Sequence, residues 1–189
     1  MRLLDNLLAL SGNMSISALW HGLSVGQTAL IFNASLPNVT IFATGGTIAG
    51  QGASTTNNNA YEVSASINVL IGAVPEMLDY ANVASYQISE VVSENINQTI
   101  LLELHRLISV EVNKPSVAGV VLTHGTNTLE ETCFFLELTV RTSKPIVCTA
   151  AMRPSTAVSA DGPANLLQSV ILASAPNARD RGVMVSLNE

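Results

Sequence analysis

A chain of 189 residues is long enough for one well-buried α/β domain with room for a tail. Eight Lys and Arg against fourteen Asp and Glu leave a net charge of −6. So few and scattered cations exclude a phosphate-backbone footprint, so nucleic acid is not an expected partner. Apolar residues make up 48% of the chain and the mean hydropathy is +0.38. No uninterrupted apolar run reaches the roughly eighteen residues of a membrane-spanning helix. So apolar a chain fits strands covered on both faces, or surfaces made for a partner.

The first 35 residues are apolar but broken by Asp5, Asn6, Gly12, Asn13, His21 and Gln27. Arg2 followed by two leucines could open a signal peptide, yet Asp5 and Asn6 interrupt its centre, so a signal segment and a poorly ordered extension both stay open. Asn-x-Ser/Thr triplets at Asn13, Asn33, Asn38 and Asn97 permit passage through a glycosylating pathway. A secreted, periplasmic or cell-wall location is therefore expected over a cytoplasmic one. The domain proper runs over residues 36–189. Residues 39–43 read as its first strand, and 50–60, rich in Gly, Ser, Thr and Asn, as a mobile loop or loose hairpin. Residues 67–77 carry helical spacing and 84–92 a strand. Residues 98–112 place apolar side chains at helical intervals, and 117–123 form a solidly apolar strand. A helix over 129–140 opens with Glu130 and Glu131, which suit its positive end. A short strand over 146–149, a helix over 164–173 entered through Asp161-Gly162-Pro163, and a strand over 183–187 complete the pattern. Such alternation predicts the α/β class: a parallel β-sheet with helices on both faces, and ligands bound beyond the carboxyl ends of its strands.

Two segments carry the chemistry. Ile41–Gly50 is an apolar run that stops at Gly45-Gly46 and presents Thr47; residues 120–128 repeat the device with Gly125 and Thr126. Two hydroxyls at strand ends can flank one carbonyl, provided one is activated and an oxyanion site exists. Thr47, Ser93, Thr126 and Asn127 all follow predicted strands and can share one crevice, and Tyr61 lies in the loop that could close over it. The plainer reading of Thr47 is a turn or helix cap. Gly45, Gly46 and Gly50 do not have the spacing of a dinucleotide fingerprint, and no Gly-Lys-Ser/Thr phosphate loop occurs. His124 is a candidate base or a satisfied core histidine. The cysteines, Cys133 and Cys148, sit in apolar runs and point to buried free thiols rather than a disulfide framework. No His/Cys cluster has ligand spacing, so no metal is expected.

Thr-Gly-Gly-Thr-Ile-Ala at 44–49, Thr-His-Gly-Thr-Asn-Thr-Leu-Glu-Glu-Thr at 123–132, and Ala-Met-Arg-Pro-Ser-Thr with Ser-Ala-Asp-Gly-Pro-Ala-Asn-Leu within 151–166 together resemble the bacterial-type L-asparaginase/glutaminase family. The nearest look is to its type II branch of exported bacterial and secreted fungal enzymes. The resemblance runs from about Leu36 to Glu189. It implies two-step hydrolysis of the side-chain amide of L-asparagine, or of L-glutamine, without a cofactor. It implies Thr47 as nucleophile, Tyr61 as the residue that helps activate it, and Thr126 as the second catalytic threonine. It implies Ser93 as the holder of the substrate carboxylate, with Glu94 beside it. Family members are usually tetramers built from intimate dimers, so a homo-oligomer is expected of a full-length chain.

Two departures bear on activity. The family's second threonine is followed by an aspartate that pairs with the substrate's α-ammonium and a catalytic lysine; here Asn127 keeps the shape without the charge. The family's lysine and its smaller C-terminal domain fall beyond Glu189, so the sequence is expected to be the N-terminal domain only, as a fragment or truncated paralogue. Lys144, which precedes Pro145, is expected at the far end of the sheet and unable to substitute. An amidohydrolase of doubtful turnover and a catalytically inactive remnant or amino-acid-binding module are both open on this reading.

Overall fold

The computed structural model describes residues 32–56 and 61–188. Most of the expected N-terminal extension, the triplet at Asn13 and part of the loop at 50–60 lie outside the described residues. Among the described residues seven strands and four helices follow in chain order: β1 (Asn38–Gly45), β2 (Gly50–Gly52), β3 (Tyr61–Val63), α1 (Ile67–Gly72), β4 (Asn82–Val91), α2 (Gln98–Val112), β5 (Val117–Thr123), α3 (Leu129–Thr139), β6 (Ile146–Thr149), α4 (Gly162–Ser174) and β7 (Val183–Val185). Five strands form one parallel sheet in the order β4-β1-β5-β6-β7, and β2 and β3 form a separate antiparallel hairpin.

The strands read as unbroken apolar runs because both faces are covered. Alternate residues of β1 go to opposite cores. Val39, Ile41 and Ala43 pack with Leu70 and Ile71 of α1 and with Leu166, Val170 and Ala173 of α4. Phe42 packs with Leu104, Ile108 and Val112 of α2 and with Cys133 and Leu136 of α3. Burying such a side chain contributes roughly 1.5–3 kcal/mol relative to exposure. Phe42 also stacks on Tyr86 of β4, ring centroids 5.3 Å apart.

Helix boundaries follow local chemistry. Asn97 caps α2, its Oδ1 accepting from the Ile100 amide at 3.1 Å. Glu130 and Glu131 occupy the first turn of α3, and Pro163 opens α4. The helix expected over 67–77 is corrected: α1 ends at Gly72, and a separate 3₁₀ turn covers Pro75–Asp79. Pro75 has no amide to donate, and its ring would meet the carbonyl four residues back, so Val74 leaves helical conformation with φ −135° and ψ 63°. Met77 still reaches the core fully buried, which explains why the spacing looked helical.

This topology puts a switch point at β1. The chain leaves β1 toward β4 on one side, returns through α2 to β5 on the other, and then steps outward to β6 and β7. The carboxyl ends of β4, β1 and β5 therefore meet where a doubly wound sheet opens a crevice. No described helix is long and apolar enough to cross a membrane.

Candidate active site

At that switch point Gly46, Thr47, Tyr61, Val92, Ser93, Glu94, Gly125, Thr126 and Asn127 line one open crevice of about 270 Å3. Thr47, Tyr61, Ser93, Glu94, Thr126 and Asn127, the six site residues expected from sequence, are all in it; the alternative base His124 is not.

Three strand ends converge there because glycine lets them. Gly46 has φ 79° and ψ −176°, a conformation essentially restricted to glycine. A Cβ on it would lie 2.3 Å from the Gly125 Cα and 2.4 Å from the Gly125 nitrogen. The residues preceding Thr47 and Thr126 are thus in backbone contact. Gly125 in turn faces Ser93, whose Oγ would be 2.7 Å from an added Cβ. The Gly46 amide donates to the Val91 carbonyl at 2.9 Å, fixing the turn after β1 to the end of β4.

Thr47 Oγ1 and Tyr61 Oη are 2.7 Å apart, and either can be the donor. The Ser93 hydroxyl accepts from the Asn127 amide at 3.2 Å, which leaves its own proton for a ligand. Thr128 Oγ1 donates to the Ser93 carbonyl at 2.8 Å, tying the turn after β5 to the turn after β4. The Asn127 side-chain amide donates to Glu94 Oε1. Among the described residues Glu94 is the one carboxylate lining the crevice, and Asn127 has already engaged it.

His124 is a core histidine. It is fully buried and absent from the crevice lining. Its Nδ1 lies 2.8 Å from the Gly125 carbonyl, which can only accept, so Nδ1 carries the proton. Nε2 then accepts from the Thr132 hydroxyl at 3.0 Å. Burial holds the imidazole below its ordinary value of 6.5, against the opposing pull of the Gly125 bond and of Glu131. The fold thus keeps the ring neutral more strongly than the unfolded chain does. That contribution is complete above pH 6.5 and is lost as pH falls below it through the folded value. Urea denaturation at pH 7.5 and 5.0 should show His124→Gln losing less stability over that interval than the parent; an equal loss would show that His124 does not drive it.

Lys144 sits as expected at the other end of the sheet, its Nζ donating to the Lys114 carbonyl at 2.5 Å. Burial, with Arg179 adding, lowers its pKa. Glu111 is buried at that end, taking bonds from Thr40 (3.1 Å), Tyr86 (3.0 Å) and Lys114. Both cysteines are buried and free. Among the described residues no three His, Cys, Asp or Glu side chains could hold a metal ion.

The family model described as "Asparaginase, N-terminal" matches residues 38–189. The chain belongs to the asparaginase family. It is 52% identical over 159 residues to "Probable L-asparaginase 1" of Schizosaccharomyces pombe, covering 84% of this chain and 44% of that protein. It is 54% identical over 153 residues to the "Glutaminase-asparaginase" of Acinetobacter glutaminasificans, covering 80% of this chain and 46% of the relative. Among solved structures it resembles a probable cytoplasmic L-asparaginase from Campylobacter jejuni at a TM-score of 0.78 and 44% identity, covering 80% of this chain and 46% of that one. The chain thus spans about half the length of these asparaginase relatives.

Sequence reasoning missed the residues that hold the site from behind. Thr128 and Thr132 read only as parts of a motif, although each bonds to a residue of the site or its support. The third motif read only as a family mark. In the fold its Asp161 carboxylate accepts from the Met152 and Arg153 amides at 2.8 and 2.9 Å, shaping the loop after β6.

Proposed function

We propose that the protein is an L-asparaginase-like amidohydrolase that cleaves the side-chain amide of L-asparagine, with L-glutamine as the neighbouring substrate, through a threonyl acyl-enzyme. The observation that carries this reading is the Thr47–Tyr61 hydroxyl pair at 2.7 Å on the wall of a crevice that Thr126 shares. Thr47 Oγ1 attacks the amide carbon while its proton passes to the Tyr61 oxygen and the phenol's own proton passes on to the departing nitrogen. Collapse of the tetrahedral intermediate expels ammonia and leaves an ester on Thr47, which water then hydrolyses to L-aspartate. Thr126 faces the same carbonyl from the β5 side. Ser93 donates a hydrogen bond from its hydroxyl to the substrate's α-carboxylate, and Glu94 with Asn127 meets the α-ammonium. The decisive experiment incubates the protein with L-asparagine and follows ammonia, with hydroxylamine present in a parallel reaction. An acyl-enzyme partitions to L-aspartyl β-hydroxamate, and an absence of both products would defeat the proposal.

A second reading, an amino-acid-binding crevice without turnover, is favoured by Asn127. Its neutral amide donates to Glu94, so the ammonium subsite holds one carboxylate already committed to a hydrogen bond. Asn127→Asp would set two carboxylates side by side, which only a proton or a ligand cation between them relieves. It should tighten L-aspartate binding about tenfold, near 1.4 kcal/mol, at neutral pH. Thermal shift against L-aspartate concentration measures this, and ammonia release in the same variant separates the two readings. Unchanged affinity would remove residue 127 from the ammonium subsite.

Assembly into a homo-oligomer is part of the same proposal and is supported by Phe134 and Leu138, exposed four residues apart on α3. An exported location is supported by the exposed triplet asparagines Asn33 and Asn97. Asn38 uses its side-chain amide within the fold, to Ser116 and Asn82.

A further inference from the structure

Tyr61 reaches Thr47 from a hairpin of two three-residue strands, too short to hold its own geometry. Its other edge is bound to the loop that follows β6. The Gly50 carbonyl accepts from both the Ser155 amide (2.8 Å) and the Ser155 hydroxyl (2.7 Å). The Gly52 amide donates to Thr156 Oγ1 at 2.9 Å, and the Val158 amide donates to the Thr55 carbonyl at 3.2 Å. The loop supplying these bonds is itself fixed. Asp161 accepts from the Met152 and Arg153 amides, and buried Asn165 donates to the Ala150 carbonyl at 3.0 Å and to Asp161 at 3.2 Å. On the near side, the Tyr61 ring lies over Gly50, where an added Cβ would come within 2.5 Å of Cδ2.

We infer that Ser155 is a positioning residue: together with Thr156 it clamps Gly50–Gly52 against the α4 entry loop, and so holds the Tyr61 hydroxyl at the Thr47 oxygen. The inference rests on the proposed role of Thr47 as nucleophile. Gly50 is the residue that both contacts the Tyr61 ring and takes the two Ser155 bonds. A shift of the Gly50 carbonyl therefore moves the phenol directly, and a misplacement of about 1 Å is enough to cost up to a hundredfold in rate. Ser155 is not among the residues that line the crevice, so it acts through the hairpin.

The test combines Ser155→Ala, Tyr61→Phe and the double variant, with Ser155→Thr as the conservative rescue. Ser155→Ala keeps its amide bond to Gly50, so the fold is retained. It should lower kcat for L-asparagine about tenfold while KM moves less than about twofold. In the Tyr61→Phe background the same change should alter kcat less than about twofold, because the group it positions is gone. Ser155→Thr should recover most of the loss. Amide hydrogen exchange of Gly52 and of residues 61–63 should quicken several-fold in Ser155→Ala. Equal kcat losses in both backgrounds, or unchanged exchange in an active protein, would overturn the clamp. A parent protein that releases no ammonia would overturn the proposed function and the positioning role of Ser155 in it, while exchange still reports whether the hairpin is held.

Discussion

Thr47→Ala should reduce ammonia release from L-asparagine by about a thousandfold or more, a loss of roughly 4 kcal/mol or above in transition-state stabilisation. The reason is local. Among the described residues Thr47 Oγ1 is the lining hydroxyl with a phenol beside it, at 2.7 Å, through which its proton can be relayed. The Thr126 and Ser93 hydroxyls stay, but no oxygen remains to form the ester, and hydroxylamine should no longer yield the hydroxamate. Binding is expected to survive, because in the proposed reading Ser93, Glu94 and Asn127 hold the amino-acid head, and the bonds that tie Asn127 run to Ser93 and Glu94. The L-aspartate thermal shift should therefore stay close to that of the parent. Thr47→Ser, which keeps the oxygen, should keep turnover within about tenfold. If Thr47→Ala releases ammonia as the parent does, the nucleophile is another group. If it also abolishes L-aspartate binding, the separation of the two halves of the crevice is wrong.

How much of this was legible beforehand depended on range in sequence. The extents of β5 and α2 were readable because their signals are local: Gly125 stops an apolar run, and apolar side chains recur at helical intervals over 98–112. Placement of Thr47, Ser93 and Thr126 in one crevice followed from the topology, since each ends a strand of one parallel sheet. The break at Pro75 was also local, but the buried Met77 kept the helical spacing and masked it. What sequence could not supply was pairing at a distance. The Asn127–Glu94 bond spans 33 residues and the Gly50–Ser155 bond 105. Nothing in either segment indicates its partner. His124 was undecidable from sequence for the same reason: a base and a core histidine differ only in what surrounds the ring, and here Gly125 and Thr132 take both nitrogens.

The second large effect is expected at a residue with no side chain at all. Gly46→Ala should destabilise the protein by about 3–5 kcal/mol, lowering Tm by on the order of 10 °C. Two independent costs meet at one position. The backbone at φ 79° and ψ −176° is strained for any residue with a Cβ, at about 1–3 kcal/mol. The new methyl would also lie 2.3 Å from the Gly125 Cα, 2.4 Å from its nitrogen and 2.7 Å from the His124 carbonyl carbon. All three are backbone atoms of a buried segment pinned by the His124 amide bond to the Thr149 carbonyl at 2.9 Å, so they cannot turn aside as a flexible side chain would. Gly125→Ala should cost less, since its nearest contacts are the Oγ and Cβ of Ser93 rather than backbone. Gly72→Ala, with nothing within 4 Å of the added methyl, should stay within about 0.5 kcal/mol of the parent. Chemical denaturation of the three variants gives the order directly. A Gly46→Ala protein as stable as Gly72→Ala would mean that β1 and β5 do not touch behind the two threonines. On the proposed function, any destabilisation that does appear should be accompanied by lost turnover, because the contact that breaks is the one that brings Thr47 and Thr126 to one crevice.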